Sequence, residues 1–250
     1  MRRILALLLL AVGCALAQSK HIVVIAHRGE HLRHPENTIA AFQGAVDAGA
    51  DFFELDVRTT ADGKLVLMHD ESVERMTNGK GLVGNMTFEE IRKLDVRGSR
   101  VPSFDEALEF ARGKIGVYVD SKRISAGDVV AAIERHEMQD HVVIYGGAKY
   151  LKDVSELRPK MKVMPEAGSP AGLKSLLEGL RLQVAAFGAG DFNDATIAVA
   201  REAKVDIYVD RLGAADNQSS WQDAVDRGAT GIQTDHPAEL VGYLKSKGYR

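Results

Sequence analysis

The chain has 250 residues, of which 45% are hydrophobic and 27% are charged, and this balance excludes a disordered or fibrous protein. The formal net charge is −3, which argues against a protein that binds the nucleic-acid backbone. The only cysteine is Cys14, so a framework of disulfide bonds is excluded as well. A chain of this length suits one large α/β barrel.

The amino-terminal segment has the pattern of a signal peptide. It begins with the basic residues Arg2 and Arg3 and continues with a short apolar core over residues 4–12. Residues 15–17 read Ala-Leu-Ala, which is a typical cleavage site before Gln18. We therefore expect export to the periplasm or the medium, and loss of the two arginines lowers the net charge from −3 by two units, to −5.

Removal of the signal peptide at 1–17 leaves residues 18–250, which we expect to form a single domain. An alternative is lipid attachment at Cys14, because the residues before it loosely fit the box of a lipoprotein. Beyond the leader no segment is apolar enough to cross a bilayer, so stable membrane insertion is not expected.

Short strand-like runs alternate with helical patterns along the rest of the chain. The strand-like runs are residues 21–26, 52–57, 65–68, 115–120, 142–145, 162–165, 184–187, 206–209 and 231–234. The helical patterns are residues 38–48, 87–94, 103–111, 126–137, 148–157, 171–180, 194–203, 220–227 and 237–245. Thr87 and Ser103 each precede a glutamate by three residues and predict capping boxes, and Gly49 predicts the end of the first helix.

This alternation, with almost continuously apolar strands, indicates a parallel sheet that is covered by helices. Nine runs exceed the eight places of a barrel, and the extra run is 65–68, which follows the turn sequence Ala61-Asp62-Gly63. We predict an α/β fold, a (β/α)8 TIM barrel with a short hairpin and helical insertion after the second strand. The alternative is a doubly wound sheet, but no glycine-rich dinucleotide fingerprint follows the first strand.

Polar residues occur where the predicted strands end, at the edge that carries the active site of such barrels. Glu54 and Asp56 are two apart on one strand, so both side chains point to the barrel interior. Asp120 adds a third carboxylate from another strand. Clustered carboxylates repel each other unless a cation lies between them, and oxygen ligands favour a hard divalent cation, Mg²⁺ or Ca²⁺.

Histidines and basic residues accompany these carboxylates. His27 and His69 lie at two strand ends and titrate near neutral pH, so they can act as acid and base in one reaction. Arg28 and Lys122, together with a metal ion, can offset the charge of a phosphate group. The open alternative is a structural network in which the carboxylates pair with Arg28, Arg58 or Lys122.

Other polar residues of these loops receive structural interpretations. We interpret four histidines as loop or surface residues: His31, His34, His136 and His141. Glu36 either orients His27 or Arg28 or shapes the turn that leads to a helix capped by Thr38, and we favour the turn. Asn37 is interpreted as a structural residue.

Several motifs resemble those of the glycerophosphodiester phosphodiesterase family. They are, in chain order, His27-Arg28-Gly29, Pro35-Glu36-Asn37-Thr38, Glu54-Leu55-Asp56-Val57, His69-Asp70, Arg75-Met76-Thr77-Asn78-Gly79-Lys80-Gly81, Val101-Pro102-Ser103-Phe104-Asp105-Glu106 and Gly231-Ile232-Gln233-Thr234-Asp235-His236-Pro237. The resemblance in order and spacing extends from about residue 21 to residue 244.

The resemblance implies hydrolysis of small glycerophosphodiesters, such as glycerophosphocholine or glycerophosphoethanolamine, to glycerol 3-phosphate and an alcohol. The attacking oxygen is either water or the glycerol 2-hydroxyl, which would first give a cyclic phosphate. The implied site consists of the acid–base pair His27 and His69, the metal ligands Glu54, Asp56 and Asp120, and the phosphate-binding residues Arg28 and Lys122.

Three positions depart from the family's pattern. The fourth strand has Asp120-Ser121-Lys122 in place of Glu-x-Lys, the next strand is followed by Gly146-Gly147, and residues 208–211 read Tyr-Val-Asp-Arg. The last two departures leave the alcohol specificity open. Two alternatives are a phospholipase D-type enzyme for sphingomyelin or lysolipids and a non-catalytic module that binds phosphorylated ligands. The lack of cysteines in the mature chain argues against the first, and the two histidines argue against the second.

Overall fold

A computed structural model describes residues 21–250 of the chain. The signal peptide predicted over residues 1–17, its cleavage site and the alternative lipid-attachment residue Cys14 lie outside the described residues. Within residues 21–250, none of the helices has both the length and the apolar character that crossing a bilayer requires.

Strands and helices alternate through the described residues. The strands are β1 (Val23–Ala26), β2 (Phe52–Thr59), β3 (Leu65–Leu67), β4 (Gly116–Ser121), β5 (Val142–Tyr145), β6 (Lys162–Met164), β7 (Val184–Phe187), β8 (Asp206–Asp210) and β9 (Gly231–Thr234). The α-helices are α1 (Ile39–Ala48), α2 (Phe88–Arg92), α3 (Phe104–Ala111), α4 (Ala126–Arg135), α5 (Ala148–Leu157), α6 (Pro170–Gly179), α7 (Asp194–Glu202), α8 (Gln218–Asp226) and α9 (Pro237–Ser246).

Eight of the strands form a nearly closed parallel barrel. Their order around the sheet is β6-β5-β4-β2-β1-β9-β8-β7. The circle continues between β6 and β7, where Glu166 forms a parallel bridge with Ala186 and the Ala186 N–H donates to the carbonyl of Pro165 at 2.9 Å. The predicted (β/α)8 barrel is therefore confirmed. The doubly wound alternative is excluded, because the two edge strands of an open sheet do not contact each other.

The remaining strand, β3, belongs to the predicted hairpin. It pairs antiparallel with the end of β2, with Val57 opposite Leu67 and Thr59 opposite Leu65. Gly63 in the turn has φ 76°, a left-handed conformation that glycine adopts without steric cost. The hairpin carries the chain beyond the barrel and returns it to the rim, where His69 follows.

The insertion after β3 has a small apolar core of its own. That core consists of Val66, Met68, Val73, Met76, Val83, Ile91, Val96 and Val101. Within it, α2 is shorter than the helical pattern over 87–94, although Thr87 and Glu90 form the predicted capping box. This packing fixes the loop that carries His69.

Alternation along β2 decides which side chains face the barrel interior. Phe53 and Leu55 are buried against the helices, and the rings of Phe53 and Phe42 stack with their centroids 4.0 Å apart. Glu54 and Asp56 alternate with them and therefore point inward. Beneath the carboxylates, the barrel is filled by Ile25, Tyr118, Val143, Met164, Val184 and Ala186.

Apart from α2 and α4, the helix ends follow the sequence closely. The Thr38 hydroxyl accepts the Ala41 N–H at the start of α1, and Gly49 ends the same helix at φ 77°. The pattern over 126–137 predicts a longer α4 than the structure has. The helix ends at Arg135 because Glu137 adopts φ 57°, which lies outside the right-handed helical region.

Candidate active site

Three carboxylates converge at the carboxyl ends of β2 and β4. Asp56 and Asp120 are register partners, and oxygen atoms of Glu54, Asp56 and Asp120 lie within 4.8 Å of one another. Glu54 is only 3% exposed and Asp56 only 1%. Burial, followed by the negative charges of Asp56 and Asp120, raises the pKa of Glu54 well above its usual range. A buried set of three oxygen ligands fits a hard divalent cation.

Two basic side chains lie against these carboxylates. Lys122 Nζ is 2.6 Å from Asp120 Oδ2 and 3.2 Å from Asp56 Oδ1, and Arg28 Nε is 3.6 Å from Asp56 Oδ2. Burial opposes the charge of Lys122, but Asp56 and Asp120 raise its pKa, so the ammonium group stays protonated. The ion-pair network that the sequence offered as an alternative is therefore present. It does not exclude a metal ion, because only two cationic side chains lie against three carboxylates.

Asn37 fixes the carboxylate of Asp56. Its amide Nδ2 donates to Asp56 Oδ2 at 2.8 Å, and its Oδ1 accepts the Asp56 N–H at 3.0 Å. Asn37 adopts φ 57°, a left-handed conformation that asparagine tolerates better than most residues. The structural interpretation of Asn37 agrees with these contacts, and they also hold a candidate metal ligand in place.

The turn after β1 brings Arg28 to the carboxylates. Arg28 and Gly29 adopt φ 54° and 80°, and the Arg28 N–H donates to Glu54 Oε2 at 2.8 Å. A Cβ atom on Gly29 would lie 2.7 Å from the carbonyl carbon of Ala41 in α1. Glycine therefore permits both the turn and the close approach of α1 to the end of β1.

His27 is bound by a carboxylate of the last strand's loop. Its Nδ1 lies 2.8 Å from Oδ1 of Asp235, whose Oδ2 accepts the Gly213 N–H at 3.2 Å. Burial acts to raise the pKa of Asp235, but the hydrogen bond from His27 lowers it below the usual value. The carboxylate thus holds the proton on Nδ1, and Nε2 has no hydrogen-bond partner within residues 21–250.

His31 lies closer to this centre than its interpretation as a loop or surface residue implies. It is a loop residue, but its ring packs edge-on against His27 with centroids 5.5 Å apart, and its Nε2 is 3.6 Å from Asp235 Oδ1. Its Nδ1 is 2.7 Å from the backbone oxygen of His27. The interpretation missed this contact because His31 follows a left-handed turn, which folds it back onto His27.

His69 is held in the same manner from the opposite loop. Its Nδ1 lies 2.7 Å from Oδ1 of Asp70, and Arg75 Nε donates to Asp70 Oδ2 at 2.6 Å. The hydrogen bond from Arg75 keeps the pKa of Asp70 far below its usual range. Arg58 takes no part in the carboxylate network, because its guanidinium donates to the backbone oxygen of His69 at 2.6 Å.

Glu36 connects the two halves of the site, so its interpretation as a turn-shaping residue was wrong. Its carboxylate accepts two hydrogen bonds from Arg75, at 2.7 and 2.9 Å, and one from Arg28 at 3.1 Å. The same Arg75 binds Asp70 beside His69. Arg75 lies 39 residues further along the chain than Glu36, so sequence proximity gives no hint of this contact.

Three further histidines lie outside this centre. His136 lies in the turn after α4 and pairs with Asp105 at 2.8 Å, which agrees with its interpretation as a loop or surface residue. His21 pairs with Asp51 at 3.0 Å, and His141 is exposed at the amino-terminal side of β5.

Sequence reasoning missed a second group of acidic residues at the barrel mouth. Glu166 follows β6, Asp191 lies in the loop after β7, and Asp210 ends β8. Burial, followed by the charges of Glu166, Asp191 and Asp120, raises the pKa of Asp210 to about 7. The only sequence signal was the departure at 208–211, where an acidic residue stands within the family motif.

Comparison with protein families and with relatives of known name supports one assignment. A model described as "Glycerophosphoryl diester phosphodiesterase family" matches residues 27–239. A glycerophosphodiester phosphodiesterase from Caldanaerobacter subterraneus subsp. tengcongensis is 39% identical over 157 residues, which cover 56% of this chain and 65% of that protein. One from Bacillus subtilis is 28% identical over 263 residues, which cover 91% of this chain and 87% of the relative. The first of these matches spans slightly less than two thirds of the relative's length.

Solved structures share the fold. The crystal structure of a glycerophosphodiester phosphodiesterase from Agrobacterium tumefaciens has a TM-score of 0.78 at 29% identity, covering 88% of this chain and 99% of that one. A phosphodiesterase from Oleispira antarctica has a TM-score of 0.82 at 22% identity, covering 89% and 96%. The family match covers more than half of the sequence, and the chain therefore belongs to the glycerophosphoryl diester phosphodiesterase family, a family of phosphoric diester hydrolases.

Proposed function

We propose that this protein hydrolyses glycerophosphodiesters to glycerol 3-phosphate and an alcohol. Membership of the family supports the reaction, and the Oleispira antarctica relative was crystallised with the product sn-glycerol-3-phosphate. The observation that carries the proposal is the arrangement of His27 and His69. Each imidazole is bound at Nδ1 by its own carboxylate, and both belong to loops beside the cluster of three carboxylates.

The proposed reaction depends on a divalent cation, Mg²⁺ or Ca²⁺. Glu54, Asp56 and Asp120 would hold it, since they offer three carboxylates whose mutual repulsion has no sufficient counter-charge in the described residues. When bound, such a cation supplies Lewis-acid stabilisation of the charge on the phosphate. Asp120 is one methylene shorter than the glutamate of the family's pattern, and its ion pair with Lys122 keeps its carboxylate beside Asp56.

The two histidines are proposed to move the protons of the reaction. With Nδ1–H held by Asp235 in one case and Asp70 in the other, each ring presents Nε2 for proton transfer. One ring accepts the proton of the attacking oxygen as its bond to phosphorus forms. The other donates a proton to the alcohol oxygen as its bond to phosphorus breaks. Both rings therefore need the orientation that their carboxylates provide.

Arg28 and Lys122 are proposed to contact the phosphate group. Both cations already lie at the carboxylate cluster, with Lys122 between Asp56 and Asp120 and Arg28 between Asp56 and Glu36. Cationic donors in this place offset the charge of a phosphodiester and of the more highly charged transition state. The fixed partners limit the motion of both side chains, which favours preorganised binding.

The reaction can be followed by phosphorus NMR on a panel of glycerophosphodiesters, with and without a chelator. We expect a glycerol 3-phosphate resonance that grows only when Mg²⁺ or Ca²⁺ is present. A transient cyclic phosphate would identify the glycerol 2-hydroxyl as the attacking group, and its absence would favour water. Undiminished turnover in the chelator, or none with either ion, contradicts the proposal.

Export is a separate proposal that rests on the leader pattern of residues 1–17. Mass spectrometry of the protein secreted by its host is expected to find Gln18 as the first residue. Recovery in the membrane fraction with a lipid on Cys14 would instead support the lipoprotein alternative. An intact Met1 in the cytoplasmic fraction would contradict both.

A further inference from the structure

The second acidic group lies apart from the proposed cation site. We call Glu166, Asp191 and Asp210 the acidic face. None of the three forms an ion pair with a lysine, arginine or histidine of residues 21–250, although Asp210 precedes an arginine in the chain. That residue, Arg211, pairs with Asp223 at 3.2 Å and lies over an aromatic ring outside the barrel. The three carboxylates of the acidic face therefore have no ion-pair partner within residues 21–250, and the charge of Arg211 only partly offsets theirs.

Two of its carboxylates converge on one point beside Gly188. A Cβ atom at Gly188 would lie 3.2 Å from Glu166 Oε1 and 3.6 Å from Asp191 Oδ1, so glycine leaves this space open. Backbone N–H groups hold both carboxylates, with Gly188 donating to Glu166 Oε1 at 3.0 Å and Gly168 to Asp191 Oδ2 at 2.8 Å. Asp191 is only 9% exposed, and its Oδ1 has no hydrogen-bond donor within the described residues other than the carboxyl group of Glu166 when that group is protonated.

A neighbouring strand adds a second unpaired acceptor. Gln233 of β9 is the register partner of Asp210 and is 6% exposed, and its Oε1 has no hydrogen-bond partner among residues 21–250. Its neighbour Ile232 packs against the helices, so Gln233 faces the barrel interior, as Asp210 does. Buried acceptors without donors cost free energy, so their presence on two elements points to a ligand that donates hydrogen bonds or carries positive charge.

Tyrosine rings connect the acidic face with the proposed cation site. Tyr145 donates its hydroxyl to Glu166 Oε2 at 3.0 Å, and its register partner on β4 is the candidate metal ligand Asp120. The ring of Tyr118 lies beside it, with centroids 5.9 Å apart. A diester whose phosphate lies at Asp120 can therefore extend along Tyr145 to the acidic face.

We propose that the acidic face is a subsite for a positively charged leaving alcohol, one that carries an ammonium group as ethanolamine and choline do. This inference rests on the proposed function, which it extends to the choice of substrate. The carboxylates supply the opposite charge, and the ring of Tyr145 offers a face to the carbon atoms next to the charged nitrogen. The acidic face does not bring three ligand atoms within 4.8 Å, as the carboxylates of the cation site do, so it suits an organic cation better than a bare metal ion.

The charges of the face agree with this assignment. Burial and then the charge of Glu166 raise the pKa of Asp210, and burial and then Asp191 raise that of Glu166. Both shifts reflect carboxyl groups that are enclosed together: Glu166 and Asp191 lie within hydrogen-bonding reach of each other, and the positive charge of Arg211 offsets the shift of Asp210 only in part. An ammonium group placed among them would offset this repulsion.

Two diesters that differ in charge test the subsite. Glycerophosphoethanolamine and glycerophosphoglycerol share the glycerol phosphate, but only the first has a cationic alcohol. We expect the protein to have a higher kcat/KM for the first, and Asp210→Asn to lower that value about tenfold through KM, the scale of one charge-assisted contact. Turnover of the neutral diester should fall much less, because its alcohol brings no positive charge to the acidic face. Asp206→Asn is the matched control, because it removes the same charge from the exposed opposite end of β8.

The subsite would be overturned if Asp210→Asn lowered kcat/KM equally for both diesters, or if the unmodified protein had the same kcat/KM for both. Either result would leave the proposed function intact. Glu166→Gln provides a second variant in case Asp210→Asn does not fold.

If the unmodified protein cleaves no diester at all, the proposed function fails, and a binding measurement then decides whether the subsite exists. Choline chloride is titrated against the protein by saturation-transfer NMR, with ethylene glycol as the neutral probe. Binding of choline that Asp210→Asn weakens supports the subsite, and binding of neither probe or of both equally overturns it.

Discussion

Both proposed proton-transfer residues depend on a carboxylate neighbour at Nδ1. Asp235 comes from the last strand's loop and Asp70 from the insertion, so the two rings approach from different parts of the chain. A carboxylate at Nδ1 selects the tautomer and fixes the ring, as in other hydrolases that use histidine. These contacts explain why a histidine and its aspartate must be considered together.

Removal of either imidazole tests this directly. We expect His27→Ala and His69→Ala each to lower kcat about 10²- to 10⁴-fold, the usual contribution of one acid–base residue. Initial rates with a single glycerophosphodiester measure the effect. His136→Ala, which removes a histidine that pairs with Asp105 on the outer helices, serves as the control. Near-normal rates in both site variants would refute the assignment.

Loss of the Asp235 carboxylate, which orients His27, is expected to change the kinetics in a characteristic way. Asp235→Asn keeps the size of the side chain but replaces the charged acceptor of the His27 Nδ1–H. We expect kcat to fall about 10- to 100-fold with little change in KM, as for other residues that orient a reactive group. Asp105→Asn, which changes the partner of His136 in the same way, should leave the rate unaltered. A loss confined to KM would point to substrate binding instead.

Residues that are close in sequence and alternate along a strand could be predicted well. Glu54 and Asp56 point inward because the strand period is two, and the structure places both there, next to Asp120. Contacts of Glu36 with Arg75 and of His31 with Asp235 could not be predicted, because they depend on how separate loops fold over one rim. The spacing of these residues along the chain follows neither the period of a helix nor that of a strand.

At the scale of elements, the turn between β1 and α1 is the most constrained connection of the site. Gly29 has both a positive φ and no room for a Cβ atom, because Ala41 of α1 lies too close. The adjacent Arg28 N–H donates to Glu54, so a displaced turn also disturbs a candidate metal ligand.

Gly29→Ala adds two costs, an unfavourable positive φ and a clash of the new Cβ atom with α1. We expect the clash alone to lower the free energy of unfolding by about 1–3 kcal/mol, the usual cost of overpacking. Gly113→Ala isolates the conformational cost, because Gly113 has φ 72° but no atom within 4 Å of an added Cβ. Urea denaturation of the two variants and the unmodified protein gives the difference. Equal destabilisation of both variants would show that the close approach to α1 does not limit this turn.

The order and type of the elements were predictable because the barrel repeats one unit of strand and helix. The hairpin was recognised from the turn sequence before β3, and the boundaries differ by a few residues at most. The acidic face was not recognised, because its members come from three different units. Asp191 lies in a loop without a motif of its own, and only the closed barrel brings it beside Glu166.

At the scale of the whole molecule, cation binding and pH should be linked. The pKa of Glu54 in the folded protein lies above its unfolded value of about 4.3. Without a cation, the folded state therefore holds this proton more tightly, and its stabilising effect is lost as the pH rises from about 4 through the raised pKa. A bound divalent cation removes that loss, because it replaces the proton among the carboxylates.

We therefore expect the increase in Tm on adding Mg²⁺ or Ca²⁺ to be larger at pH 8 than at pH 5. Differential scanning calorimetry in EDTA and in excess divalent salt measures it at both values. Glu54→Gln should show a smaller increase with less dependence on pH. An increase that is as large at pH 5 as at pH 8 would argue against carboxylates as the binding groups.

The central claim is that one divalent cation binds Glu54, Asp56 and Asp120 between two histidines that present Nε2. A crystal structure of the protein grown with Mg²⁺ or Ca²⁺ and glycerol 3-phosphate tests it most directly. We predict density for one cation in contact with all three carboxylates and the phosphate, with Nε2 of His27 and His69 directed at the phosphate. A cation bound elsewhere, or either Nε2 turned away from the bound phosphate, would contradict it.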